Sequence, residues 1–92
     1  MIQVEGSVLK LSGPVTIETH VAVRDSAAPH IGQADWAIDW AGVSEVDSSA
    51  LSLIFAWLRA SQAQGQTIRN VNLPANLKSL AELYGVAELL PA

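Results

Sequence analysis

The sequence contains no cysteine, which excludes both a disulfide framework and a thiolate metal site. Charge is scarce: only 15% of the 92 residues are Asp, Glu, Lys or Arg, and five basic residues face nine acidic ones. The formal net charge of -4 argues against nucleic acid, whose phosphates need a basic stripe. It argues equally against direct docking on an anionic lipid surface. No apolar run is long enough to insert in a membrane: the longest, residues 51–58, is interrupted by Ser52 and falls far short of a bilayer span. The opening Met1-Ile2-Gln3-Val4-Glu5 has neither a basic nor a long apolar region, so no signal peptide is expected and the expected location is the cytoplasm. There is no glycine-rich phosphate loop and no G-x-S-x-G elbow, the two commonest signs of nucleotide binding and of a nucleophilic serine.

What is present is apolar. Half the residues are hydrophobic, enough for a real but thin core, and rather much for a small domain that stays soluble alone. That excess points to a buried contact with a partner. Residues 1–92 read as a single domain, with no linker, repeat or low-complexity break.

Punctuation and periodicity predict the elements. Residues 2–5 and 7–11 alternate around Gly6 and read as a hairpin, ended by Ser12-Gly13-Pro14. Residues 16–24 read as a helix with Thr16 as N-cap, although Val15, Thr16, Ile17, Thr19, Val21 and Val23 are all β-branched. A loop follows over 27–33, with Pro29 and Gly32. Residues 34–40 alternate, placing Trp36, Ile38 and Trp40 on one strand face. A helix spans 48–64 and stops at Gly65. A strand spans 66–72. Pro74 opens a further helix that runs to Tyr84 and stops at Gly85, and 86–90 form a short terminal turn or helix. The order β-β-α-β-α-β-α implies an α/β sandwich with a mixed four-stranded sheet, because helical crossovers join parallel strands while the first pair is a hairpin.

The 48–64 helix is the informative one. At 100° per residue, Leu51, Ile54, Phe55, Leu58 and Gln62 share a stripe that reads as core. The opposite side carries Ser49, Leu53, Ala56 and Ala60, small or apolar where a solvated face would carry charge, and reads as a docking face. Trp57 lies between, and is the best aromatic anchor for an interface.

Chemistry is sparse. His20 and His30 have no carboxylate at ligand spacing, so no metal is expected. Neither is placed as a base for a serine, so no catalytic residue is assigned. Asp35 and Asp39 read as solvated acids. That leaves Asp47-Ser48-Ser49 at the mouth of the helix, where free backbone N–H groups favour negative charge. Two readings stand. One is plain capping, which needs a single such residue. The other is a phosphoacceptor or contact point.

The stretch Ile38-Asp39-Trp40-Ala41-Gly42-Val43-Ser44-Glu45-Val46-Asp47-Ser48-Ser49-Ala50-Leu51 resembles the signature of STAS domains, the anti-anti-sigma-factor fold: an apolar strand, a short loop, then Asp-Ser at a helix start. Gln64-Gly65-Gln66 and Pro74 match as well. The run Asn76 to Val86, followed by Leu89-Leu90-Pro91, is similar to the end of the MlaB-type members. The resemblance implies a non-catalytic cytoplasmic subunit without cofactor. It would bind and support the ATPase of an ABC phospholipid transporter, and through it the inner-membrane permease, in maintaining outer-membrane lipid asymmetry. It makes Ser48 the counterpart of the family's phosphoacceptor. Asp47, Ser48, Ser49, Ser52, Leu53, Ala56, Trp57 and Tyr84 are the expected partner-binding residues. The alternative is an anti-anti-sigma factor switched by phosphorylation of Ser48. Against that alternative, Ala50 stands where those factors usually carry glycine, and Gly13-Pro14-Val15-Thr16 stands where they carry an acidic motif.

Overall fold

The computed structural model describes residues 2–87. Strands β1 (Ile2–Glu5) and β2 (Val8–Val15) form a hairpin. Gly6, at φ 58°, supplies the positive φ that a two-residue hairpin turn needs. Next come α1 (His20–Ala27), β3 (Trp36–Val46), α2 (Ser48–Ala63), β4 (Ile68–Val71) and α3 (Ala75–Leu83). The sheet order is β1-β2-β3-β4, with β1 antiparallel to β2 and the other two pairs parallel. This is the mixed four-stranded α/β arrangement expected from the element order.

Helices cover one face of the sheet. Leu9, Ile38 and Asn70 lie abreast on that face and are buried. Lys10, Asp39 and Val71 lie abreast on the other face, where Lys10 pairs with Glu5 at 2.9 Å. The core between sheet and helices is built from Leu9, Leu11, Ile38 and Trp40 below and Val23, Ile54, Trp57 and Leu77 above. Trp40 anchors it: its Nε1–H donates to the Asn70 side-chain oxygen at 3.0 Å, and its ring sits 6.4 Å from that of Trp57.

The three largest boundary shifts from the sequence-based expectation each have a physical reason. Strand β2 does not stop at Ser12 but runs through Gly13-Pro14 to Val15. Beyond Leu11 it has no β1 partner, and its ladder to β3 is irregular between Gly13 and Pro14, so the missing proline N–H is tolerated. Strand β3 likewise continues six residues past Trp40, through Ala41-Gly42. At Gly42 a Cβ would lie 2.8 Å from the Leu11 carbonyl oxygen, so glycine here permits close strand approach where it first reads as a break. Helix α1 starts at His20, with Thr19 in the N-cap position, not at Thr16. The β-branched run resists helix, and residues 16–19 instead form a turn in which the Thr19 hydroxyl donates to the Pro14 carbonyl at 2.8 Å. At the other end, α3 closes at Gly85, with φ 70°. The expected terminal turn over 86–90 lies outside the described residues from 88 onward.

Candidate functional site

The long β3 delivers the chain straight into Asp47, the N-cap of α2. Its backbone is extended, and its Oδ1 accepts the Ser49 N–H at 2.8 Å. The other carboxylate oxygen accepts the Ile17 N–H at 2.8 Å. One side chain therefore caps the helix and ties the β2–α1 turn to it. Partial burial pushes the Asp47 carboxyl up, but the N–H groups of Ile17 and Ser49, the Ser49 hydroxyl and nearby His20 outweigh it. The group is held below the ordinary carboxylate range and is a carboxylate at neutral pH.

With Asp47 committed to two internal bonds, Ser48 is left as the outward group. It is exposed, and its hydroxyl has no hydrogen-bond partner among the described residues. His20 turns Nδ1 to the Ile17 carbonyl oxygen at 2.9 Å, and His30 packs edge-on against Trp36 at 5.6 Å. Neither ring meets Ser48, so no nucleophile–base pair is formed there. Among the described residues no group of three His, Asp or Glu could hold a metal ion.

Two concavities meet at Ser48. One, of about 340 Å³, lies between Ser48, Ser52 and Phe55 of α2 and Tyr84 and Val86. The second, of about 510 Å³, has Val46, Asp47 and Ser48 on one wall, and Asn76, Ser79, Leu80 and Leu83 of α3 with Tyr84 on the other. Ser48 and Tyr84 border both. Leu83 and Tyr84 are 76% and 56% exposed, large apolar surface held open at the rim.

The structure brings together Asp47, Ser48, Ser49, Ser52 and Tyr84 at this end of the molecule. It does not leave Leu53, from the expected docking face, or Trp57, the expected anchor beside it, available for docking: they are 3% and 4% exposed, and both expectations are corrected. Ala56 is half-buried. The buried side of α2 is Ala50, Leu51, Leu53, Ile54, Trp57 and Ser61, centred about a quarter turn from the predicted stripe, with which it shares Leu51 and Ile54. Trp57 is drawn inward because Trp40 offers it a ring, and Ala50 and Ser61 are small where the helix lies on the sheet. Asp35 and Asp39 are also not simply solvated. Asp35 accepts the Thr67 N–H at 2.8 Å. Asp39 accepts from the Asn72 side chain at 3.0 Å and the Ala41 N–H at 2.9 Å, which hold its carboxyl below the ordinary range.

Sequence reading missed Ile17, Asn76, Ser79, Leu80 and Leu83. The last four had a signal: 76, 79, 80 and 83 follow the three-and-four spacing of one helix face. Ile17 had none, since a bond across thirty positions joins it to Asp47.

A family model described as "Mlab, STAS domain" matches residues 2–91. The chain belongs to the STAS family, in its MlaB-type branch. Solved STAS folds agree. The unphosphorylated anti-sigma factor antagonist SpoIIAA superimposes with a TM-score of 0.74 at 16% identity, covering 98% of this chain and 84% of its own. A Thermotoga maritima protein assigned as an anti-sigma factor antagonist gives 0.78 at 14% identity, covering 99% of this chain and 82% of its own. The structure of Mglu gives 0.64 at 23% identity over 82% of this chain, which spans only 20% of Mglu. These likenesses establish the fold. No curated protein matches the chain. Among the described residues no helix is long and apolar enough to cross a membrane.

Proposed function

We propose that this STAS domain is a non-catalytic docking subunit, and that its partner is the ATPase of an MlaB-dependent ABC phospholipid transporter at the cytoplasmic side of the inner membrane. The observation that carries the reading is the groove at the mouth of α2. An exposed Ser48 is held forward by a fully committed Asp47, beside Leu83 and Tyr84, which no core contact requires to be exposed. Apolar side chains held open in a concave setting suit a protein contact. The MlaB-type family match over residues 2–91 supports the transporter over other STAS roles. In mechanism, the subunit favours whichever ATPase conformation presents the matching surface, and shifts that equilibrium by its differential affinity alone. The permease is reached through the ATPase, without direct membrane insertion.

The test is co-purification and ATPase assay with the Mla-type ATPase of the same organism. Ser48→Arg and Leu83→Asp are both exposed changes that leave the core intact. Each is expected to abolish co-purification and stimulation while the melting temperature stays within a few degrees of the parent. Retention of full stimulation by both variants rejects the reading.

A second reading has its own observation. The Ser48 hydroxyl is exposed and has no hydrogen-bond partner among the described residues, at a helix N-terminus that tolerates an added phosphate, on a fold shared with an anti-sigma factor antagonist. In that case Ser48 is phosphorylated by a partner kinase, and incubation with candidate kinases followed by intact mass decides it.

A further inference from the structure

Asp47 divides one carboxylate between two elements. Its Oδ1 accepts the Ser49 N–H of its own helix, and its other oxygen accepts the Ile17 N–H of the β2–α1 turn. That turn closes on itself without Asp47. The Thr19 hydroxyl takes the Thr16 N–H at 2.9 Å and donates to the Pro14 carbonyl at 2.8 Å. The Thr19 and His20 N–H groups donate to the Thr16 carbonyl at 3.0 and 2.8 Å. Residues 16–19 contribute no side chain to the buried core, and Ile17 is 66% exposed. The turn therefore needs Asp47 for its seat against α2 and not for its shape, and a charged hydrogen bond supplies that seat where apolar packing does not.

Ser48 follows Asp47 directly in the chain and is exposed. A phosphate on its hydroxyl carries a charge of about -1.5 to -2 and three acceptor oxygens. Two effects then act on Asp47. The phosphate repels the carboxylate, because like charges on adjacent residues disfavour each other even in water. It also competes for the N–H groups of the first turn of α2, that of Ser49 among them, since a helix N-terminus binds phosphate through those donors. Both effects turn the Asp47 carboxylate away from the place at which it meets Ile17.

We propose that Asp47 is a relay: phosphorylation of Ser48 drives its carboxylate off the helix mouth and releases the β2–α1 turn. One covalent event at α2 thereby changes a second element, thirty residues away in the chain. This rests on the second reading above and names what the modification does to the domain. In the covalent step the γ-phosphoryl group of a nucleoside triphosphate passes to the Ser48 Oγ. The new O–P bond forms as the bond to the diphosphate leaving group breaks, and the hydroxyl proton goes to a base of the kinase. The element that responds has two states, seated by the carboxylate and released from it.

The test installs phosphoserine at position 48 of the whole chain during translation, so that no kinase is needed, and follows the Ile17 amide by NMR. In the parent the Ile17 amide shift is expected to titrate with the Asp47 carboxyl. In the phosphorylated chain that dependence is expected to vanish, and exchange of the Ile17 amide with solvent to quicken at least about fivefold. Asp47→Asn keeps an acceptor but has no charge to repel, so phosphoserine is expected to change its Ile17 amide much less. Ser52→Asp, a charge one turn further along α2, is expected to leave Ile17 as in the parent. An Ile17 amide unmoved by phosphoserine overturns the relay. So does an equal change in the Asp47→Asn background, which would make the phosphate act on the turn directly, or an equal change in Ser52→Asp, which would make the effect one of general charge. Failure of every candidate kinase to modify the parent rejects the phosphorylation reading instead, and the installed phosphoserine still decides the relay, so the two fail separately.

Discussion

The two sides of α2 share a near absence of charge and do opposite things. The sheet side carries Ala50, Leu53, Ile54 and Trp57; the outward side carries Ser48, Ser52, Arg59 and Gln62, with Phe55 half-covered between them. Only Arg59 carries charge on the outward side. On most surface helices charge marks the solvent face and fixes the wheel. Here charge is almost absent, so what marks the outer side is the hydroxyls. Burial is decided by what the sheet presents: Trp40 offers its ring to Trp57, Leu53 and Ile54 join Leu9 and Ile38 in one core, and Phe55 is left at the groove.

Adjacent residues give the sharpest way to break this contrast. Leu53→Asp buries an unpaired carboxylate beneath the helix, and is expected to unfold the domain at room temperature. Ser52→Asp, one position away, is expected to change stability by no more than about 0.5 kcal/mol. Urea denaturation of the pair decides it, and similar midpoints for both would place the sheet side of α2 elsewhere.

A second contrast sets Gly42 against Gly6. An alanine Cβ at Gly42 meets the Leu11 carbonyl oxygen at 2.8 Å, whereas at Gly6 nothing lies within 4 Å. Gly42→Ala is expected to cost about 1–3 kcal/mol through backbone displacement. Gly6→Ala is expected to cost less, through its positive φ alone. Equal losses in thermal melts would mean that strand approach at Gly42 is not limiting.

Asp47 joins the two regions and should show a smaller, pH-dependent effect. Replacing it by Ala removes the α2 cap, at about 0.5–2 kcal/mol, and strands the Ile17 N–H. Its folded carboxyl lies below the ordinary value of 3.8. The stabilisation is therefore fully present above that value and is lost as pH falls through the folded value. Asp47→Asn keeps an acceptor for the Ser49 N–H but has no charge to lose. The parent is expected to lose more stability than Asp47→Asn between about pH 5 and about pH 2. Parallel acid limbs would show that Asp39, also held low, carries the acid sensitivity instead. The smallest effect is expected from Ser79→Ala on the groove wall, within about 0.5 kcal/mol in stability.

The parts of the fold that were legible were those written in local chemistry. Gly6, Gly65 and Gly85 all adopt positive φ at the turn and helix ends where their positions predict it. Asp47-Ser48 marks the start of α2, and Pro74 stands immediately before α3. Misreadings arose where two local signals competed. Gly13-Pro14 and Ala41-Gly42 look like strand ends, yet they are the irregular stretch through which β2 and β3 stay paired. The expected helix over 16–24 begins with a stretch, residues 16–19, in which Thr16, Ile17 and Thr19 are β-branched, and their stiffness argues for the turn that stretch adopts before α1 starts at His20. Of the candidate site, Asp47 and Ser48 were visible because a helix mouth is a local feature. Ile17 was not, because its place depends on a carboxylate thirty residues away.

The sequence by itself determined the order of elements, the mixed sheet and the polar mouth of α2, because turn geometry, helix capping and strand alternation act over a few residues. Only the tertiary structure decided which side of an almost uncharged helix is core. Periodicity defines a face relative to the helix axis but not relative to the sheet. That choice is made by the shapes of Trp40, Leu9 and Ile38 meeting Trp57, Leu53 and Ile54, and it turned two expected interface residues into core and left Leu83 and Tyr84 at the rim.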